Sequence, residues 1–295
     1  MNVSLSKELI EEVAAEMGVN PSFVEKDWYA VQILKAIAPV KFPAPVIFTG
    51  GTSLSKGFSL IKRFSEDLDF KVSGGRQLTR GQRRKVSDAF LEAVTQIEGL
   101  CILSTHPHDE HRKVEITVGY PKMFDTPLAL RQNLKIELFY DNHTEGMLSR
   151  DISSFIDQYL GNDEKISVVC NNPFYIIADK FNAITWRIYA GQQDFDYTNM
   201  RHLHDIYVMR SCIEHMEDFK ARVLENFITK DKHRVAEDLS FETTLLKTTE
   251  LLKTDKKYKE GYERFVSSMS YADDADIATF DKALSYYEEL SKLFI

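Results

Sequence analysis

Strand-like patterning in this chain is confined almost entirely to residues 45–140, and that confinement limits the fold more than any other feature. Pro45-Val-Ile-Phe-Thr-Gly-Gly51 is a short apolar run closing on a glycine pair, the pattern of a buried strand entering a tight turn. Thr52–Lys62 then reads as a helix. Asp67-Leu-Asp-Phe-Lys-Val72 alternates polar with apolar residues, the period of a half-buried strand. Gly74-Gly75 breaks it, and Thr79–Ile97 reads as a helix. Further strands are expected at Leu100–Ser104, Lys113–Gly119 and Asn133–Tyr140. In the last of these, Lys135, Glu137 and Phe139 share one face while Ile136 and Leu138 share the other.

The flanking sequence is helical. Ser6 is placed to cap a helix over Lys7–Met17 that Gly18 ends, and Asn20-Pro21 starts a second. In that second helix Val24, Trp28, Val31, Ile33, Leu34 and Ile37 form a helix-period stripe. Beyond residue 146, helices are expected at Ile152–Leu160, Tyr175–Tyr189, Met200–His215, Phe219–Phe227 and Lys282–Leu293, with Ile166–Cys170 as an extra strand. The expected fold class is therefore mixed α+β, with a mixed domain over residues 1–145 and a mainly helical one over 146–295.

Composition narrows the function. Hydrophobic residues make up 43% and charged residues 28% of the chain, enough apolar content for a core and too much for disorder. No apolar run approaches the roughly 20 residues of a membrane helix. The acidic start, Met1-Asn-Val-Ser-Leu-Ser-Lys-Glu-Leu-Ile-Glu-Glu12, does not resemble an export signal. Cys101, Cys170 and Cys212 form no C-x-x-C pair, so a reducing cytoplasm is expected. The net charge of −8 argues against a protein that coats nucleic acid. Yet Phe70–Ser87 holds no acid while carrying Lys71, Arg76, Arg80, Arg83, Arg84 and Lys85, either a local anion site or a solvated helix face.

The residues with chemistry in them cluster around residue 60. Gly50-Gly51-Thr52-Ser53-Leu54-Ser55-Lys56 is either an ordinary strand-to-helix turn or a turn that aims backbone N–H groups, the Ser53 hydroxyl and, one helical turn on, Lys56 at a phosphate. It is not a P-loop, because G-x-x-x-x-G-K-[ST] is absent. Asp67 and Asp69, at i and i+2 of a strand, point to one face. They are either a solvated edge or two hard oxygen ligands suited to Mg²⁺. The first aspartate follows the second glycine by sixteen residues, room for one helix and a turn. Neighbouring strands would then set the phosphate turn beside the carboxylates, the layout of metal-dependent nucleotidyl transfer. Glu137 is a third metal ligand or a charge on an exposed face. His106, His108 and His111 read as a polar loop between strands.

Several segments resemble the AbiEii/AbiGii toxin family of nucleotidyltransferases, found in toxin–antitoxin and abortive-infection systems. Phe48-Thr-Gly-Gly-Thr-Ser-Leu-Ser-Lys56 and Arg63-Phe-Ser-Glu-Asp-Leu-Asp-Phe70 are similar to its first two motifs. Glu25-Lys-Asp-Trp28 resembles its N-terminal helix motif and Lys135-Ile-Glu-Leu-Phe-Tyr140 its later core strand. Asp179-Lys180-Phe-Asn-Ala-Ile-Thr185 resembles the third motif, with Asp179 where many members carry Glu, and Arg201-His-Leu-His-Asp-Ile-Tyr207 the fourth. The resemblance runs in order from about residue 25 to 210.

It implies a polymerase-β-like nucleotidyltransferase core with a helical C-terminal domain closing the active-site cleft, using a nucleoside triphosphate (NTP) and Mg²⁺. Carried over by position, Gly51 and Ser53 would hold the phosphates, Asp67 and Asp69 would bind metal, Lys180 would contact the triphosphate and Asp205 would complete the site; the reading of the turn adds Gly50, Thr52 and Lys56 as nucleotide-binding residues, and that of the strand face adds Glu137 as a metal ligand. The implied acceptor is an RNA such as tRNA, and the implied partner a cognate antitoxin. Transfer to a protein or small molecule, and a nucleotide- or partner-binding module without turnover, are the alternatives.

Overall fold

The computed structural model describes residues 5–75, 77–127, 130–141, 146–162, 165–191, 195–235, 238–272 and 277–295. Arg76 of the basic segment lies outside them. The chain divides into two compact units, residues 1–59 with 64–172, and residues 60–63 with 173–295.

Unit 1 begins with α1 (Lys7–Met17) and α2 (Pro21–Ile37). Ser6 Oγ caps α1, Gly18 closes it at φ 65°, and Asn20 with Pro21 starts α2, as the sequence predicts. Then come β1 (Val46–Thr49), α3 (Gly50–Lys56), β2 (Asp67–Ser73), α4 (Arg80–Thr95), β3 (Cys101–His108), β4 (Lys113–Gly119), β5 (Leu134–Asp141), β6 (Leu148–Ile152), α5 (Phe155–Tyr159) and β7 (Ile166–Cys170). Among the described residues these seven strands form one sheet in the order β3-β4-β5-β2-β1-β7-β6.

The sheet explains where unit 1 ends. The sequence put the boundary near 145, but β7 pairs with β1 and β6 pairs with β7, so residues 148–170 belong with the strands before them. β3 also runs past Ser104 to His108 on the sheet edge, so His106 and His108 are strand residues rather than loop residues.

One sheet face is the core. Leu68, Phe70 and Val72 of β2, with Ile136 and Leu138 of β5, pack with Val31 and Leu34 of α2 and Val86 and Phe90 of α4. Each such side chain contributes about 1.5–3 kcal/mol through burial. The alternation that buries these residues turns Asp67, Asp69 and Lys71 to the other face, beside Lys135 and Glu137 of β5 and Lys113 and Glu115 of β4.

Unit 2 is helical: α6 (Pro173–Ala190), α7 (Met200–Val208), α8 (Arg210–Glu214), α9 (Phe219–Asn226), α10 (Phe241–Thr254), α11 (Lys256–Met269) and α12 (Phe280–Ser291). The helix expected over Met200–His215 is broken at Met209. The Lys253–Lys259 run spans the end of α10 and the start of α11. The segment Leu60–Arg63 joins unit 2, where Lys62 O accepts the Tyr271 N–H at 3.1 Å. Among the described residues no helix is long and apolar enough to cross a membrane.

Candidate active site

β1 and β2 are antiparallel neighbours, so the end of one lies beside the start of the other. The register pairs Thr49 with Asp69. The glycine turn after β1 and the aspartate pair opening β2 therefore meet at one end of the sheet. Gly50 has φ 76°, a left-handed conformation that favours glycine, and a Cβ built there would lie 2.1 Å from Asp69 Oδ2. The carboxylate thus sits against the bare Cα of the turn.

The rest of the turn is built to hold this arrangement. Thr52 Oγ1 donates to the Asp67 carbonyl at 2.6 Å, tying α3 to the first residue of β2. Its hydroxyl is committed to the backbone rather than presented to a nucleotide. Ser53 is fully buried, with its Oγ beside the Cys170 thiol. Burial pushes the nearby Cys170 thiol up to about 11.

Lys56 departs from its expected role. It points into the protein, 2.5 Å from Asp27 of α2, with its ammonium over the Phe155 ring. Burial lowers its pKa against the pull of Asp27. Asp27 also accepts the Phe155 N–H at 2.8 Å, so this pair pins α3 and α5 to α2. Lys56 is part of the scaffold, not a phosphate ligand.

The same helix supports the aspartates. Glu25, Lys26 and Asp27 are consecutive charged residues, and all three are buried. Buried charges need partners, and each has one. Glu25 accepts the Met123 N–H at 2.6 Å, and Lys26 donates to Glu66 and to the Arg131 carbonyl, both at 2.5 Å. Arg131 in turn bonds Asp67 through its guanidinium. This is the physical content of the Glu25–Trp28 motif.

Glu137 is Asp69's register partner across β2 and β5, as an added ligand would require. Its carboxylate is already bonded by Lys135, with Lys113 3.8 Å away. Among the described residues no three His, Cys, Asp or Glu side chains gather into a metal-binding group. Glu137 is thus ion-paired to Lys135 as Asp67 is to Arg131, and its place as a third ligand stays an expectation. Glu115 beside it is held at about 2, because the bonds from Lys113 and Lys135 outweigh its burial. Asp67 and Asp69 are two carboxylates on one rigid strand and suit Mg²⁺, which completes its shell with waters and phosphate oxygens.

Unit 2 carries the other expected residues. Asp205 on α7 is fully buried and is bonded bidentately by Arg63, Nε to Oδ1 and Nη2 to Oδ2, both at 2.7 Å. Lys180 on α6 meets Oδ2 at 2.7 Å, and His204 Nδ1 lies 3.2 Å from Oδ1. Burial alone would raise the Asp205 carboxyl; the Arg63 and Lys180 charges hold it well below the usual range. Asp205 is enclosed and anchors two cations, so it acts through them. Lys180 is nearly buried, and burial lowers its pKa. His202 is also buried, and neither ring nitrogen has a partner among the described residues. Burial, with Arg201 and Lys180, keeps it well below its ordinary pKa.

Arg63 is the member of this cluster to which the sequence assigned no role. It lies inside the matched Arg63–Phe70 stretch, but its partner is 142 residues away. The basic segment also needs correction. Arg83 is buried, donating to Leu78 O at 2.6 Å and Glu110 O at 3.0 Å, while Arg80, Arg84 and Lys85 are exposed.

The profile of the family described as nucleotidyl transferase AbiEii toxin, type IV TA system, matches residues 32–286 of the chain. Among solved structures, MenT4, a nucleotidyltransferase toxin from Mycobacterium tuberculosis H37Rv, is similar with a TM-score of 0.52 at 13% identity. The match covers 98% of this chain and 99% of that one. A search of curated proteins finds no match.

Proposed function

The chain belongs to the AbiEii family of nucleotidyl transferase toxins of type IV toxin–antitoxin systems, and from that premise we propose that it transfers a nucleotidyl group from an NTP to an RNA acceptor such as tRNA, with Asp67 and Asp69 holding Mg²⁺. A cognate antitoxin is the proposed partner and the cytoplasm the proposed compartment.

The observation that carries this reading is the meeting of Gly50 with Asp69. Because the glycine turn and the Asp69 carboxylate touch, a triphosphate held by the turn would lie beside a cation held by the aspartates. In the reaction an acceptor hydroxyl attacks the α-phosphorus, an O–P bond forms, and the bond to the β-phosphate oxygen breaks to release pyrophosphate. Such chemistry needs positioning and charge neutralisation more than covalent help. Bound at the aspartates, Mg²⁺ would neutralise charge that develops on the phosphate oxygens.

The chain's own residues do the rest. Gly50 and Gly51 open α3, where their backbone N–H groups would be the donors to a phosphate. Asp67 and Asp69 would hold the cation, and Thr52 with the Lys26–Glu66 pair ties down the start of their strand. Within unit 2, Asp205 holds the Lys180 ammonium at 2.7 Å, and Lys180 keeps the nucleotide-binding role that the family resemblance implies as part of the proposal.

The test is incubation with each α-labelled NTP, Mg²⁺ and total RNA. The expected result is label in RNA of tRNA size from the wild type and none from Asp69→Asn. Label on protein alone would move the acceptor to the other reading. No transfer from any NTP would contradict the proposal.

A further inference from the structure

Arg131 lies in the segment before β5, and its position has a consequence for the aspartates. Its guanidinium bonds the Asp67 carboxylate. Its backbone is held independently of its side chain. The Arg131 N–H donates to the two Glu66 oxygens at 3.1 and 3.3 Å, and its carbonyl accepts from Lys26 at 2.5 Å. Lys26, buried beneath, also bonds Glu66. The peptide is thus clamped on both sides by the ion pair of buried Lys26 with half-buried Glu66, while the Arg131 side chain remains 47% exposed.

A clamped backbone with a half-exposed side chain delivers a guanidinium to a fixed place and lets its end move. The place is acidic. Asp67 touches the guanidinium, and Glu66, Glu137 and Asp69 are the other carboxylates that act on it. A cation at this position does what a metal would do, since it keeps neighbouring carboxylates from repelling each other. It also takes the oxygen that a metal would take.

We propose that Arg131 is the resident cation of this site: it occupies Asp67 while no metal is bound, yields the carboxylate when a divalent cation arrives with the triphosphate, and then engages the phosphate oxygens. The inference rests on the reading of Asp67 and Asp69 as cation ligands. The planar fork of guanidinium fits two phosphate oxygens as it fits a carboxylate, so both positions are chemically available to one side chain. Lys26 and Glu66 are positioning residues, which hold the pivot and touch no substrate.

The experiment measures Mn²⁺ binding to the nucleotide-free protein from the loss of the free-ion EPR signal. The guanidinium takes an Asp67 oxygen that the ion would use and repels it by charge, so Arg131→Gln should tighten Mn²⁺ binding by about tenfold. Arg131→Lys, which keeps the charge, should bind Mn²⁺ as the wild type does. Binding of a non-hydrolysable triphosphate analogue, measured with saturating Mg²⁺ present, should weaken in Arg131→Gln.

Equal or weaker Mn²⁺ binding by Arg131→Gln, with wild-type binding that is lost in Asp69→Asn, would overturn the resident-cation role and leave the metal site standing. Absence of Mn²⁺ binding in both wild type and Arg131→Gln would overturn the metal site and the inference together. Unchanged triphosphate binding would overturn the second half of the role. Mn²⁺ binding that appears only in Arg131→Gln would support the first half.

Discussion

The Asp69 carboxylate stands where the side chain of residue 50 would begin: a Cβ on Gly50 would lie 2.1 Å from Asp69 Oδ2 and 2.9 Å from its Cγ. No rotation at position 50 relieves this, because the Cβ position is set by the backbone. Either the turn or the carboxylate must move when any other residue is placed there.

Gly50→Ala should therefore abolish transfer and cost about 1–2 kcal/mol of stability from the left-handed backbone, with a further cost from the clash. Gly18→Ala is the control. Gly18 has a similar φ of 65° with nothing within 4 Å of its Cβ position. It should lose comparable stability in urea unfolding and keep full transfer activity. Equal activity in both variants would mean that the Gly50–Asp69 approach is incidental.

Asp205 and Asp69 should separate in stability. Asp205→Asn leaves Arg63 and Lys180 buried without their shared carboxylate, and losing one partner of a buried pair costs about 3–5 kcal/mol. Asp69→Asn lies on the half-buried sheet face and should change unfolding free energy by less than about 1 kcal/mol. Denaturant melts of the two variants check this, and equal loss would show that Asp69 is structural too. Inactivity of Asp205→Asn alone would not make it a catalytic residue.

His202 predicts a pH dependence. Its folded pKa is depressed, so below the unfolded value of about 6.5 the unfolded state binds a proton that the folded state refuses. Stability is then lost as pH falls below that value, with a limiting slope of about 1.4 kcal/mol per pH unit for one group. Subtracting the profile of His202→Gln from that of the wild type isolates it. The difference should grow from pH 7 to 5; a flat difference would mean that His202 titrates normally.

The basic segment predicts two behaviours. Arg80→Ala with Arg84→Ala should reduce the slope of RNA affinity against salt by about one unit for each RNA phosphate that no longer meets a guanidinium, because both arginines are exposed. Arg83→Ala should instead destabilise the fold, since its guanidinium satisfies two backbone carbonyls. Filter binding at several salt concentrations, with a thermal melt of each variant, tells them apart. An unchanged slope in the double variant would place RNA elsewhere.

The sequence and the structure agree where the signal is local. Period-two alternation put Asp67 with Asp69 and set Glu137 opposite Ile136 and Leu138, and the ladder between β2 and β5 bears this out. The glycine turn beside the carboxylates was also legible, because sixteen residues hold one helix and a turn. Lys56 was misread for a physical reason. Its ion pair with Asp27 crosses from α3 to α2, and no spacing rule reports a contact between separate elements. Arg63 and Asp205 present the same difficulty over a longer span. Glu137 had the right face and strand, but its pairing with the lysines beside it was not legible, since only the assembled sheet shows that they reach it.

The central claim is that Asp67 and Asp69, against the Gly50 turn, form a nucleotidyl-transfer centre. Its most direct measurement is single-turnover transfer of label from an α-labelled NTP to purified tRNA by wild type, Asp67→Asn and Asp69→Asn, each first shown to unfold at the wild-type urea midpoint. The account predicts Mg²⁺-dependent transfer by the wild type and a rate at least about a thousandfold lower in either variant, equivalent to roughly 4 kcal/mol of lost transition-state stabilisation. Transfer at the wild-type rate by either folded variant would contradict it.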